Sequence, residues 1–270
     1  MTSTRTTRGR GAPSTPTWVL GAAGVVTLLV VLEVVPRLGL VNPEFLPPIS
    51  EIFAALGAAM TTAVFWQALG ETLLTWGIGL AIALIAGVSL GVIIGSSAFL
   101  REFTASTIEF LRPVPSVALL PVAVLVFGPR GMTATIFLVV YAAFWQVLIQ
   151  VMAGVQDVDP IAADTARSYR FRRSTRVRTV VWPTTLPYAM TGVRLAASVA
   201  LILTVTGELL ISFQGIGGLL EVARQSGAVA LMYAMVVVTG TLGLLVNIAA
   251  RTVESRTLFW HPSIRSEAIA

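Results

Sequence analysis

The chain has 270 residues, 56% of them hydrophobic and only 11% charged, with a formal net charge of +5. Soluble proteins carry about 25% charged residues, so composition alone points to an integral membrane protein. There is no cysteine, one histidine (His261), and all 18 basic residues are arginine; this excludes disulfides, thiolate nucleophiles, multi-histidine metal sites and the lysine of a P-loop, so any ATP is bound by a partner.

The first sixteen residues are rich in Arg, Ser, Thr and Pro and read as a disordered cytoplasmic tail (1–16) with no evident cleavable signal peptide. Six apolar segments then follow at 17–36, 71–95, 114–128, 133–154, 188–212 and 228–250. A helix needs about 20 apolar residues to cross hydrocarbon. The third segment is short and interrupted by Pro113, Pro115 and Pro121, so a kinked or broken span is expected there, preceded by a short interfacial helix around 101–112. Between the first two spans, FLPPISEIFAAL predicts a Pro-stopped, partly amphipathic surface helix. Gly87, Gly91 and Gly95 recur every four residues in the second span and form a flat stripe for close helix approach, read as intramolecular packing ahead of a dimer seam.

The arginines orient this bundle. With the N-terminus inside, cytoplasmic segments hold Arg5, Arg8, Arg10, Arg101, Arg112, Arg251, Arg256, Arg265 and the six at 167, 170, 172, 173, 176 and 178. Outside segments hold only Arg37, Arg130 and Arg224, and Arg194 lies within the fifth span. This positive-inside bias predicts six spans with both termini cytoplasmic.

The arginine-rich loop IAADTARSYRFRRSTRVRTVVWPTTLP (161–187) is the most informative stretch. Asp159-Pro160 is a helix start, with Asp as N-cap and Pro at the first position. Ala162, Ala166 and Tyr169 share one face, and Asp164 can pair with Arg167. Ser174 is expected to cap a second short helix carrying Val177, Val180 and Val181, with Pro183 ending it and Pro187 opening the next span. Contact with anionic lipid headgroups would by itself account for the charge.

The spacing adds a second reading. The loop resembles the "EAA" loop of permease subunits of ABC importers: Asp164-Thr165-Ala166 takes the Glu-Ala-Ala place, and Trp182-Pro183 with Leu186-Pro187 takes the ending. LRPVPSVALLPVAVLVFG, GVQDVDP, GVRLA, GELL, GIGGLL and WHP follow in the order of the nitrate/sulfonate/taurine branch, so the resemblance covers about 46–264. It implies an all-α integral membrane protein with six transmembrane helices and the type I ABC importer permease fold, multi-pass in a bacterial plasma membrane. The corresponding division is a first helix at 17–36, an extracytoplasmic segment at 37–70, a permease core with five spans at 71–252 and a cytoplasmic tail at 253–270.

The resemblance further implies an ATPase-docking coupling loop carried by Ala163, Asp164, Thr165, Ala166, Arg167, Arg170, Arg173, Pro183 and Pro187. Its implied partners are two ABC ATPase subunits, a second permease copy, an extracytoplasmic solute-binding protein and the lipid bilayer, with no nucleic acid. No cofactor is implied for this chain; ATP-Mg would sit on the partner ATPase. The implied cargo is a small sulfonate-, taurine- or nitrate-like solute. One position departs: the family's glycine falls on Arg170, which must hold a left-handed conformation at ~1–2 kcal/mol or shift the turn.

Candidate residues for the translocation path or gate are Glu208, Thr204, Pro115, Gly215 and Gly217. Glu208 is the most isolated acid within a span, and intramembrane acids face a bundle interior or water; it equally reads as a residue reaching water near the outer interface. Arg194 reads as snorkelling to the cytoplasmic face. The glycines of Gln214–Gly218 predict a loop or re-entrant turn. Beyond the last span, His261 reads as structural. An ion-coupled secondary transporter and a membrane-embedded enzyme are the alternatives. The first would need intramembrane acids or paired broken helices, and the second lacks any nucleophile beside a base.

Overall fold

A computed structural model describes residues 17–128, 132–212 and 214–260. The expected N-terminal tail, Arg130 and His261 lie outside them. The described residues are helical throughout, with short connections. Five helices are long and apolar enough to cross a membrane, and a bent pair makes a sixth candidate.

Helix α1 (Thr17–Arg37) is tied to α2 (Ile49–Met60) by Glu33, which accepts from the Ser50 N–H and hydroxyl at 3.0 Å each and pairs with Arg37 at 2.7 Å. Helix α2 is the expected helix of the first connection. Helix α3 (Ala63–Gly95) starts eight residues before the predicted span, because Thr62 accepts a hydrogen bond from the Phe65 N–H and caps it there.

The centre of the bundle is α6 (Met132–Gln156), packed between α3 and a long helix α8 (Arg173–Ile211). Small residues set both contacts. A Cβ added at Gly79, Gly87, Gly91 or Gly95 would fall within 3 Å of Val139, Val147, Val151 or Val155 respectively. The separation in sequence is the same for every pair, so α3 and α6 run parallel. The glycine stripe therefore packs within the chain. Across the other face of α6, Thr135 meets Gly207, Gln150 meets Gly192 and Gly154 meets Tyr188. Positions rise along one helix as they fall along the other, so α6 and α8 are antiparallel. Trp76 closes the triangle by donating to the Ala197 carbonyl at 3.0 Å.

Parallel packing of α3 and α6 forces the intervening chain to return across the bundle. It does so through α4 (Ala98–Leu111), a 3₁₀ turn (Ser116–Leu119) and α5 (Leu120–Phe127), with an 83° bend between the two halves. The third span is thus broken, as the prolines predict. The expected interfacial helix at 101–112 is corrected. The Leu111 carbonyl accepts from Tyr141 Oη at 2.6 Å, in the middle third of α6, so α4 climbs the bundle instead of lying across its end.

The arginine-rich loop is corrected too. Helix α7 (Pro160–Ser168) forms as expected, with the Asp159 carboxylate accepting from the Ile161 N–H at 2.8 Å. No separate second helix follows, and Ser174 caps nothing: α8 begins at Arg173 without a side-chain cap and runs through Pro183 and Pro187. The helix accommodates Pro183, which has no N–H, by widening into a π turn over Val177–Val181, where the Trp182 N–H reaches back to the Val177 carbonyl. An amphipathic helix α9 (Gly215–Gln225) and the last apolar spanning helix α10 (Val229–Thr257) complete the described helices.

The glycine–valine seam yields a test. Gly87→Ala places a methyl 2.8 Å from Val147 Cβ; it is expected to destabilise the fold by about 1–3 kcal/mol. Gly77→Ala, on the open side of the same helix with nothing within 4 Å, is expected to be neutral or to stabilise by about 0.5–1 kcal/mol. Thermal unfolding of the detergent-solubilised chain measures both.

Candidate functional site: the coupling loop and the Glu208 cluster

The two ends of the bundle carry different chemistry. At the loop end, α7 presents Asp164 and Arg167 as an exposed ion pair at 3.1 Å, while Ala166 is buried. Thr165 Oγ1 donates to the Ile161 carbonyl at 2.8 Å. Arg170 takes the glycine's role directly, with φ 51°. Its N–H bonds the Arg167 carbonyl at 2.8 Å and the Phe171 N–H bonds the Ala166 carbonyl at 3.0 Å. This is the two-bond C-terminal motif that ordinarily selects glycine, so the turn stays in place. Just before α7, Tyr188 on α8 donates to Asp157 at 2.8 Å. Ala163, Arg167 and Arg173 line a cavity behind α7, whereas Pro183 is exposed on the flank of α8 and Pro187 is half-buried.

At the opposite end, Glu208 is 2% exposed and does not reach water. Its Oε2 accepts from Thr72 Oγ1 at 2.9 Å and from the Gly217 N–H at 3.1 Å. Thr72 in turn accepts from the Ile216 N–H at 2.9 Å, and Glu71 accepts from the Gly215 N–H at 3.0 Å. The first three N–H groups of α9 are therefore satisfied by side chains of α3 and α8, since its own N-cap, Gln214, provides none. Two carboxylates at a helix N-terminus also oppose its dipole favourably. Glu208 Oε1 is left without a partner.

The expected loop at Gln214–Gly218 is corrected: only Gln214 is non-helical, and the glycines form the first turn of α9. They are glycines for room. A Cβ on Gly215, at φ +68°, would land on the Glu208 carboxylate, and one on Gly217 would lie 2.5 Å from the Val205 carbonyl. Glu208, Gly215 and Gly217 thus come together. Thr204 is fully buried, with its hydroxyl bonded to the Ala200 carbonyl at 2.8 Å, and Pro115 is exposed at the elbow of the broken span. Arg194 is paired with Glu254 of α10 at 3.3 Å; the sequence reading missed this partner because α10 extends past the predicted span, to Thr257.

Farther along α9, the Arg224 guanidinium grips Glu221 at 2.6 and 2.7 Å, and Gln225 adds a bond at 2.8 Å. These contacts hold the Glu221 carboxyl down to about 2.

Arg112 is the residue that sequence reasoning misplaced. It ends α4, next to the Leu111 carbonyl held by Tyr141, and is exposed beside the elbow. An arginine level with the middle of a spanning helix is costly in lipid, so its side chain must face protein or water. The available signal was the LRPVP break itself.

The family described as "Binding-protein-dependent transport system inner membrane component" matches residues 83–259. This stretch holds α7, the long α8, the broken span, and Glu208 with the glycines of α9; Glu71 and Thr72 precede it.

The chain belongs to that family.

Among relatives of this permease family, the taurine transport system permease protein of Escherichia coli is 29% identical, covering 91% of each chain. A nitrate import permease of Leptolyngbya laminosa is 29% identical over 75% of this chain and 72% of its own. A bicarbonate transport system permease of Synechococcus elongatus is 30% identical over 68% and 66%. Solved structures of a methionine ABC transporter in inward-facing form (TM-score 0.56, 18% identity, 72% and 94% covered) and of an amino acid ABC transporter (0.57, 19%, 74% and 97%) share the fold. Membership in the permease family makes the chain a multi-pass inner-membrane transport component, and the secondary-transporter alternative is set aside.

The α9 cap predicts a graded response in thermal unfolding. Glu208→Gln keeps an acceptor for Thr72 and Gly217 and is expected to cost little. Glu208→Ala leaves a buried N–H and hydroxyl unpaired and should cost about 1–3 kcal/mol. Gly215→Ala is expected to be at least as damaging.

Proposed function

We propose that this chain is one of two identical permease copies in an ATP-driven importer of a small anion, delivered by an extracytoplasmic binding protein. The observation that carries the anion reading is Arg112, a positive charge on the broken span level with the middle of α6. A charge at the centre of a spanning helix costs about 2.5–3.5 kcal/mol when nothing compensates it. Backbone freed by the break must also meet protein or water. A second copy facing the elbow at Pro113–Pro115 would provide both, enclosing a wet path with Arg112 and Pro115 on its wall. Taurine, nitrate and bicarbonate, for which the relatives are named, each present an oxyanion group.

The loop end faces the cytoplasm in this reading, in line with its arginines. Helix α7, with Asp164 and Arg167 exposed, docks on a partner ATPase that holds ATP-Mg. Arg170 and Arg173 at the following turn widen that surface. ATP binding brings the two ATPases together, and α7 passes this movement to α6 and α8 as a rigid-body shift. Solute and ATP favour different states of the bundle, which makes transport directional. Glu208, Gly215 and Gly217 hold α9 at the extracytoplasmic end as part of the outer gate, and Thr204 lies one turn below them.

Reconstituted vesicles test the reading. Uptake is expected to require ATP, the ATPase and the binding protein; uptake driven by an ion gradient alone would sink it. Arg112→Gln should lower anion uptake about 10-fold or more without affecting ATPase co-purification, and Arg112→Lys should restore part of it. Asp164→Lys should do the reverse of Arg112→Gln at the first step, weakening ATPase co-purification while membrane insertion stays normal.

A further inference from the structure

A cavity of about 410 Å³ lies behind the coupling helix, between the ends of α3, α4 and α6 and the start of α8. Four guanidinium-bearing residues line it: Arg101 from α4, Arg167 from α7, and Arg173 and Arg176 from α8. Val177 and Val181 contribute an apolar wall. Of the four arginines, only Arg167 has a carboxylate within ion-pair distance among the described residues, and that partner, Asp164, is itself exposed. Arg101 also donates to the Gly95 carbonyl at 2.7 Å, which fixes it at the mouth of α3.

A second feature points the same way. Helix α8 begins at Arg173, a lining residue, and no side chain caps it. Its first N–H groups and the positive end of a 39-residue helix are therefore open at the cavity rim. Free N–H groups, four guanidiniums and an apolar wall form a site for an oxyanion with an apolar appendage.

We propose that this cavity binds a phosphate-class oxyanion, either the headgroup of an anionic phospholipid or free phosphate. Guanidinium forks hold phosphate oxygens in pairs, and basic pockets between membrane helices take anionic headgroups. The bound group bridges α4, α7 and α8, and so stiffens the attachment of the coupling helix to the bundle. This site is separate from the path of the transported solute and independent of what that solute is.

Native mass spectrometry of the full-length chain in neutral detergent tests it, with phosphatidylglycerol and phosphatidylcholine as probes. Phosphatidylglycerol is expected to bind at about tenfold lower concentration than phosphatidylcholine. Arg173→Gln with Arg176→Gln should abolish that preference, and Arg101→Gln with Arg167→Gln should do so independently if the first pair fails to fold. Arg178→Gln with Arg256→Gln, outside the cavity, should retain it. Competition with millimolar inorganic phosphate separates the sources: displacement of the lipid assigns the site to free phosphate, and retention assigns it to the headgroup. Equal loss of preference in the Arg178/Arg256 pair would overturn the site. So would equal binding of both lipids together with no thermal stabilisation by phosphate.

Discussion

Close backbone approach between α3 and α6 is the constraint on which the rest of this bundle depends. Gly79, Gly87, Gly91 and Gly95 sit against Val139, Val147, Val151 and Val155, with no room for even one methyl. In lipid there is no hydrophobic drive between helices, and such tight contact supplies the dispersion that holds them. The seam also fixes direction. Two helices locked in parallel need a return crossing between them, and the chain supplies it with the proline-broken pair α4–α5. That crossing carries the exposed Arg112 up to the level of Tyr141 on α6.

The two ends solve a shared problem by opposite means. Helix α9 starts with three open N–H groups and borrows Glu71, Thr72 and Glu208 to satisfy them, which binds it to α3 and α8. Helix α8 also starts without a cap, but at a cavity lined by arginines. One end is closed by internal carboxylates. The other is left uncapped at that cavity.

Much of this was legible in one dimension. The spans, the Asp159 cap, the Asp164–Arg167 pair, the broken third span and the glycine stripe are all local patterns, and each formed as its residues dictate. The misses share a cause. Pro183 reads as a helix stop, yet a π turn lets α8 run through it. The glycines at 215, 217 and 218 read as a loop, yet they give α9 room beside Glu208. Glu208 reads equally as facing the interior or reaching water, and the choice is made by Thr72 of α3, more than a hundred residues away in sequence, together with the Gly217 N–H of α9. Local rules describe what a residue prefers by itself and cannot include an acceptor that only folding delivers.

The sequence by itself determined the membrane class, the number of crossings and the capped first helix of the 159–187 loop, because hydropathy and helix capping act over a few turns at most. Tertiary structure decided the parallel register of α3 and α6, the burial of Glu208, the pairing of Arg194 with Glu254 and the height of Arg112. Those depend on which helix faces which, and in a bilayer that choice is made by how closely two backbones can approach.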